Sequence, residues 1–328
     1  MSKRDSAAPP ADAGEPIRVG ISSCLLGESV RYDGGHREDR FITQTLSQYF
    51  DYVPVCPELE FGLGVPREAI RLVGDPASPR LLGVRSATDH TAGMQRFAAR
   101  RARELAALEL DGYIFKKDSP SCGTMRVRVY GEENGIAVRK GIGIFARAFM
   151  AEFPLVPVEE EGRLSDPILR ENFIVRVFCH QRWRLLRKAF TRGRLVDFHT
   201  AHKLLVLAYS PRHYQELGRL VAAAKSLRPA ELADRYGALL LGALALKATP
   251  RKHANVLQHI AGYFKRQLAA GEKEELQGVI DDYRRGLVPL IVPVTLIKHY
   301  VRRFEVEYLA GQIYLNPHPK ELMLRNHV

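Results

Sequence analysis

The stretch 112–123, GYIFKKDSPSCG, constrains the fold of this 328-residue chain more than any other. Tyr113, Ile114 and Phe115 are β-formers in a short apolar run, and Asp118-Ser119-Pro120 is a turn composition. Cys122 then arrives just past the strand, beside Gly123, where backbone can come close to a ligand. Two earlier stretches follow the same plan. Residues 17–22 read as a strand and lead into Cys24-Leu25-Leu26-Gly27; residues 52–55 read as a strand and lead into Cys56-Pro57-Glu58. In an open α/β sheet the carboxyl ends of the strands are where ligands bind, so three thiols there make a candidate metal or cluster site.

The spacings, 32 residues from Cys24 to Cys56 and 66 from Cys56 to Cys122, contain no C-x-x-C pair, which excludes the common zinc-ribbon and ferredoxin patterns. A single cysteine is usually a small buried hydrophobe. The shared placement after strands, next to Gly, Pro and Ser, argues for the three as a set, and three ligands leave one metal position open. Cys179, in IVRVFCHQRWRLL, is flanked by apolar residues at helical spacing and reads as core, with His180 beside it not a ligand.

Strands alternate with helices through the first half. Further strands are expected at 70–73, 80–84 and 155–158, with helices at 41–50, 91–110 and over GIGIFARAFMAEF. This predicts an α/β, Rossmann-like domain over 16–160 with a mostly parallel sheet covered on both faces. The run Glu159-Glu160-Glu161-Gly162-Arg163 reads as a charged hinge. Beyond it the period becomes helical, with helices expected at 167–191, 196–209, 211–227, 229–248, 251–269, 272–286 and 289–308; Pro211, Pro229 and Pro289 suit first-turn positions. Residues 164–328 are therefore expected to form an all-α helical domain.

Charge divides along the same line. Through Leu164 there are 22 Lys and Arg against 23 Asp and Glu; from Ser165 on there are 27 against 14. All the net basicity thus lies in the helical half, the footprint of a nucleic-acid-binding domain or of a cationic, soluble helical surface. Residues 1–15 are polar and rich in small residues and proline, and are expected to be a disordered leader. No apolar run is long enough to span a bilayer and no signal peptide is visible, which points to the cytoplasm, where cysteines serve metals or catalysis more often than disulfides.

SSCLLG with RYDGG, then VPVCPE with VPRE, then KKDSPSCG, resemble the motif set of the thiouracil desulfidases, the TudS-like family. The second half, with DFHTAHKLLVLAYSPRHYQELGRLV, looks like the YbgA-type domain, and the fusion resembles the RudS-type enzymes that remove sulfur from 4-thiouridine in tRNA. The resemblance implies a 4Fe-4S cluster held by Cys24, Cys56 and Cys122, with one open iron to bind the thiocarbonyl sulfur and uridine as product. On that reading Glu58, two residues after Cys56, is the first candidate for acid/base work, and Asp33 the second, against a plain turn role before Gly34. Ser119 and Ser121 would orient the base or relay a proton, or else cap their loop. Arg67 would hold the cluster's charge or a phosphate, or else serve only at the surface.

With tRNA as partner, the expected phosphate contacts are Arg187, Lys188, Arg192, Arg194, Lys203, Arg251, Lys252, Arg302 and Arg303, each of them otherwise a solvated charge. His199 and His202 suit packing or a phosphate contact more than a metal. Neither DNA nor a membrane has a part in this reading. Two rivals stand beside it: an enzyme acting on free thiouracil, and a non-enzymatic RNA-binding protein with a structural zinc or iron–sulfur site.

Overall fold

The computed structural model describes residues 15–132 and 135–327, so the leader expected over 1–15 lies, Glu15 apart, outside the described residues. The chain divides into two compact units, one spanning Pro16–Phe173 and the other taking up from Ile174.

In the first unit, β1 (Arg18–Ser22), β2 (Asp51–Val55), β5 (Gly112–Phe115) and β8 (Val158–Glu160) form one all-parallel sheet in the order β2-β1-β5-β8. β1 lies between β2 and β5. The chain leaves β1 in one direction and later returns on its other side, which opens a crevice at the carboxyl ends of those strands. A second four-stranded sheet, of which the sequence reading places the strands at 70–73 and 80–84 but not the other two, is mixed: β3 (Ile70–Val73), β4 (Arg80–Gly83), β6 (Val127–Tyr130) and β7 (Ala137–Gly141) in the order β4-β3-β6-β7. α1 is the single turn Pro57–Glu60. The helices α2 (Thr91–Ala106) and α3 (Ile144–Glu152) bury Met94, Phe97, Leu105, Phe145 and Phe149 against Tyr113 and Phe115 of β5 and Leu72, Val127 and Val129 of the second sheet. Tyr113 and Phe115, two apart and so on one face of the strand, stack at 3.9 Å between ring centroids.

Three expectations change. Residues 41–50 are helical but irregular, a π turn followed by a 3-10 turn. The helix from Thr91 stops at Ala106, because Glu109 takes a positive φ to turn the chain into β5. The acidic run read as a hinge is instead β8 and the turn after it. Glu159, Glu160 and Glu161 are 8%, 6% and 8% exposed, and Glu160 pairs in register with Phe115. The boundary between the compact units falls later, inside α4 (Pro167–Lys188).

The second unit continues from α4 with α5 (Arg192–Tyr209), α6 (Pro211–Ala222), α7 (Pro229–Leu244), α8 (Pro250–Ala261), α9 (Ala270–Arg284), α10 (Ile291–Arg303) and α11 (Glu307–Ala310). The caps explain several starts: the hydroxyls of Thr191, Ser210 and Thr249 accept from the backbone N–H of Arg194, His213 and Lys252. Pro211, Pro229 and Pro250 occupy first-turn positions, while Pro289 lies outside α10. None of the described helices is long and apolar enough to cross a membrane.

Candidate active site

The carboxyl ends of β1, β2 and β5 deliver the three cysteines to one cavity of about 370 Å³, lined by Cys24, Cys56 and Cys122 together with Glu58, Arg67 and Ser119. Cys24 sits in the 3-10 turn after β1, which Gly27 closes at a φ of 92°, a left-handed conformation that favours glycine. Cys56 directly follows β2 and leads α1. Cys122 ends the turn after β5, where it is 5% exposed. All four cysteines are free thiols. Burial pushes the Cys24 thiol up to about 11, raises Cys56, and raises Cys122 further.

The loop that carries Cys122 is pinned throughout. Ser119 Oγ accepts from the backbone N–H of Ser121 (3.2 Å) and Cys122 (3.1 Å), so Ser119 caps the turn. The first turn of α3 closes over it: Ile144 N–H donates to Pro120 O, and Phe145 and Ala146 N–H donate to Ser121 O at 3.0 and 3.1 Å. Gly143 permits that approach, since a Cβ there would stand 2.5 Å from the Ser121 carbonyl. The buried carboxylates at the end of β8 and in the turn after it hold the two flanks. Glu161 accepts from Lys117 N–H (2.7 Å) and pairs with Lys116; Glu160 Oε1 accepts from Thr124 N–H (2.7 Å), Thr124 Oγ1 (3.1 Å) and Met125 N–H (3.3 Å). Lys116 N–H also donates to Ser22 Oγ at the end of β1.

Glu58 lies across the cavity from this loop and is tied to it. Ser121 Oγ donates to Glu58 Oε1 at 2.7 Å, and Arg67 donates to Glu58 Oε2 from Nε (3.1 Å) and Nη2 (2.6 Å). Arg67 Nη1 also donates to the carbonyls of Val30 and Gly64, both at 2.9 Å, which stitches the RYDGG and VPRE loops around the carboxylate. Glu58, Ser119, Ser121 and Arg67 thus meet at the thiols. Asp33 does not: it is exposed, accepts from Gly35 N–H (3.1 Å) and pairs with Arg31 (3.4 Å), which is the turn role.

Sequence reasoning missed the cations that line the same cavity, Arg31, Arg37, Lys116 and Lys117, and the β8 carboxylates beneath them. KKD before the Cys122 turn was the available signal for the lysines; for the carboxylates there was none, since acidic runs normally mark solvated surface.

In the helical unit the expected phosphate contacts fare unequally. Arg187 pairs with Asp234 at 2.8 Å, Lys188 with Glu15 at 2.9 Å, and Arg303 with Glu272. Arg192 donates to the carbonyls of Ala224 and Leu227, Arg194 to Ala189, and Lys252 to Tyr209 and Lys247, so these three hold helix ends. Lys203 lies over the Tyr308 ring at 4.8 Å. Arg251 and Arg302 are exposed. His199 meets Tyr236 Oη at 3.2 Å, and His202 stacks on Phe198, so both serve packing. Cys179 is fully buried in α4, and burial pushes its thiol up to about 12.

The three cavity thiols are a soft donor set, suited to zinc, copper or an iron–sulfur group and unsuited to magnesium or calcium. Among the described residues no three His, Cys, Asp or Glu side chains converge to hold a metal ion. Thiols spread around a cavity of this size fit a polynuclear group that itself fills the space.

The fold and site define an α/β domain with a thiol-lined cavity at its strand ends, joined in sequence to a basic helical domain. A family model described as 2-thiouracil desulfurase matches residues 19–161, and one described as a protein of unknown function, DUF1722, matches residues 203–319. Uncharacterized protein YbgA of Escherichia coli (strain K12) is 35% identical over 158 residues, 48% of this chain and 94% of YbgA. Uncharacterized protein YbbK of Bacillus subtilis (strain 168) is 31% identical over 109 residues, 32% of this chain and 72% of YbbK. A solved structure, the 4Fe-4S-dependent thiouracil desulfidase TudS, shares 27% identity, with 45% of this chain and 93% of that one covered and a TM-score of 0.38. The chain belongs to the YbgA family, and it joins a 2-thiouracil desulfurase domain to a DUF1722 domain.

Proposed function

We propose that the protein is an iron–sulfur-dependent desulfidase that replaces the thiocarbonyl sulfur of a thiolated uracil with oxygen, and that its substrate is 4-thiouridine in tRNA. The observation that carries the reading is the convergence of three thiols with the Glu58–Ser121 pair at the strand ends of a desulfurase-family domain. Cys24, Cys56 and Cys122 would hold a 4Fe-4S cluster. When bound, such a cluster supplies an iron with a free position for a soft sulfur ligand, and so polarises the carbon that bears it.

The protein's own groups then handle the protons. Ser121 already donates to Glu58, the arrangement in which a carboxylate takes a proton from a hydroxyl or from water in its place. Arg67 holds that carboxylate in one orientation through two hydrogen bonds. Ser119 fixes the turn that aims Ser121, so its role is positioning. Water is consumed, hydrogen sulfide leaves, and no net redox change occurs. Free thiols suit a reducing compartment, so the protein would work in the cytoplasm.

The tRNA part rests on charge. The unit Pro16–Phe173 has 21 Lys and Arg against 22 Asp and Glu, whereas the rest of the chain has 28 against 15. A basic unit without an identified catalytic centre supplies phosphate contacts that position a nucleic acid. The target base must leave the stack to enter a cavity. Anaerobic incubation of the reconstituted protein with thiolated tRNA and with free thiouracil tests the proposal: the thiocarbonyl absorbance should disappear from tRNA. Loss from thiouracil alone would leave the desulfidase and remove the tRNA; loss from neither would remove both.

A further inference from the structure

The helical unit carries an aromatic cluster at its surface, away from its buried core. Among the described residues from Ile174 on, Tyr263 is the one Tyr, Phe or Trp side chain that is exposed, at 43%. It sits in the 3-10 turn Gly262–Phe264 that follows α8. Its ring is held on two sides. It stacks on Tyr308 of α11, with 5.3 Å between ring centroids and 20° between planes, and His259 of α8 packs edge-on against it at 5.9 Å. Lys203 Nζ lies 4.8 Å from the centre of the Tyr308 ring. Partial burial raises both phenols, so each stays protonated, a neutral ring with a hydroxyl able to donate. An aromatic ring gains most by burial, so one that is fixed by its neighbours and still open to solvent is a surface ready for a second ring.

The charge around it is of one sign. Residues 250–268 contain Arg251, Lys252, Lys265 and Arg266 and no Asp or Glu. Arg251, Asn255, His259 and Tyr263 recur every four residues and are all exposed, which sets them in one row along α8 and the turn after it. Arg251 and Arg266, both exposed, have no anionic partner among the described residues.

We infer that Tyr263, backed by Tyr308 and braced by His259, is a stacking platform for an unpaired base of RNA, with Arg251 and Arg266 engaging phosphates of the same strand. Resting on RNA as the partner of the basic unit, the platform adds a preference to that reading: unpaired RNA over duplex, since a duplex hides its base faces everywhere but at its ends. Every base has a π face, so such a platform needs no contact with a base edge and tolerates any sequence. An acidic protein would satisfy the arginines and leave the ring unused, whereas a nucleotide strand presents rings and phosphates together.

The test is binding by the full, reconstituted chain of two probes, neither of which requires turnover. One is a short single-stranded oligoribonucleotide with 2-aminopurine flanked by uridines, whose fluorescence falls when the base stacks on an aromatic ring; the other is an RNA duplex of the same length. The parent chain should quench the single strand on binding. Tyr263→Leu, which keeps the bulk and removes the ring, should weaken single-strand binding about tenfold, abolish the quench and leave duplex affinity within about twofold, with iron content and thermal melt at the parent values. Tyr263→Phe should restore both the affinity and the quench. Arg251→Gln with Arg266→Gln should instead flatten the salt dependence for both RNAs and keep the quench. No quench with the parent chain would overturn the platform without any variant. Equal losses on single strand and duplex in Tyr263→Leu would overturn it too, as would an unchanged single-strand affinity and quench, which would leave this face to a protein partner. That last result beside desulfuration of thiolated tRNA would remove the platform and keep the desulfidase. A quench lost in Tyr263→Leu and restored in Tyr263→Phe would sustain the platform even if no thiolated substrate reacts.

Discussion

Glu58→Gln separates proton transfer from assembly of the site. The substitution keeps the shape and removes the charge of a side chain that is 14% exposed and faces Arg67, itself 5% exposed. Breaking a buried ion pair costs about 3–5 kcal/mol. Here the lower figure applies, because the glutamine keeps one acceptor oxygen and Arg67 keeps the carbonyls of Val30 and Gly64. A loss of about 3 kcal/mol leaves a domain of ordinary stability folded. Removing a positioned acid/base group slows the chemical step about 10²–10⁴-fold, or about 3–5 kcal/mol of barrier. The assay is anaerobic single turnover of a thiolated substrate, followed by loss of the thiocarbonyl absorbance, with iron content measured on the same samples. Iron should stay at the parental level with turnover down at least about a hundredfold. Turnover at the parent rate would refute the proton role, and loss of iron would make Glu58 a structural support for the thiols.

Cys24→Ala, Cys56→Ala and Cys122→Ala should each abolish iron binding and turnover, whereas Cys179→Ala, fully buried in α4, should lower thermal stability and leave iron content at the parent value; iron retained in any of the first three contradicts the ligand set. Glu160→Ala strips three hydrogen bonds from Thr124 and Met125, and should shorten the lifetime of the bound group under air while helix content by circular dichroism is unchanged; an unaltered lifetime removes the brace. In the helical unit, burial holds His202 and His253 down at about 3 and His318 at about 4. Unfolded histidines titrate near 6.5, so the unfolded chain binds more protons between the two values. Stability should be complete above about pH 7 and fall as pH drops towards about 4, by up to about 1.4 kcal/mol per pH unit per histidine. Thermal melts in this range followed by circular dichroism check it, and a flat profile would refute the burial. Arg251→Glu with Arg302→Glu, both exposed, should weaken tRNA binding and flatten its salt dependence, by about 0.9 in log–log slope per lost contact; an unchanged slope moves the RNA surface elsewhere.

Much of this was legible in the sequence because it depends on local pattern. The runs before Cys24, Cys56 and Cys122 are apolar and bounded by turn residues, so strand ends and thiols could be placed together. The helical half announces two of its starts through Pro211 and Pro229. What was not legible depends on tertiary pairing. β6 alternates buried and exposed residues over only four positions, and β7 is exposed over three consecutive residues with no alternation, so neither separates from a loop. Glu159, Glu160 and Glu161 look solvated by composition, and only the fold shows the buried donors that await them. The same holds for the basic residues. Arg192 and Arg187 are indistinguishable in the sequence, yet one caps two carbonyls and the other pairs with Asp234 at the surface. Glu58 was found because it adjoins Cys56; its partner Arg67 was singled out, but their pairing was not.

Desulfuration is decided at the carbon–sulfur bond. Reconstituted protein incubated anaerobically with thiolated tRNA in oxygen-18-labelled water, then digested to nucleosides for mass spectrometry, reads that bond. Uridine should carry the label where the sulfur was, with one sulfide formed per base converted and none from a Cys122→Ala sample. Thiolated base recovered intact, or conversion that persists without Cys122, would contradict the desulfidase reading.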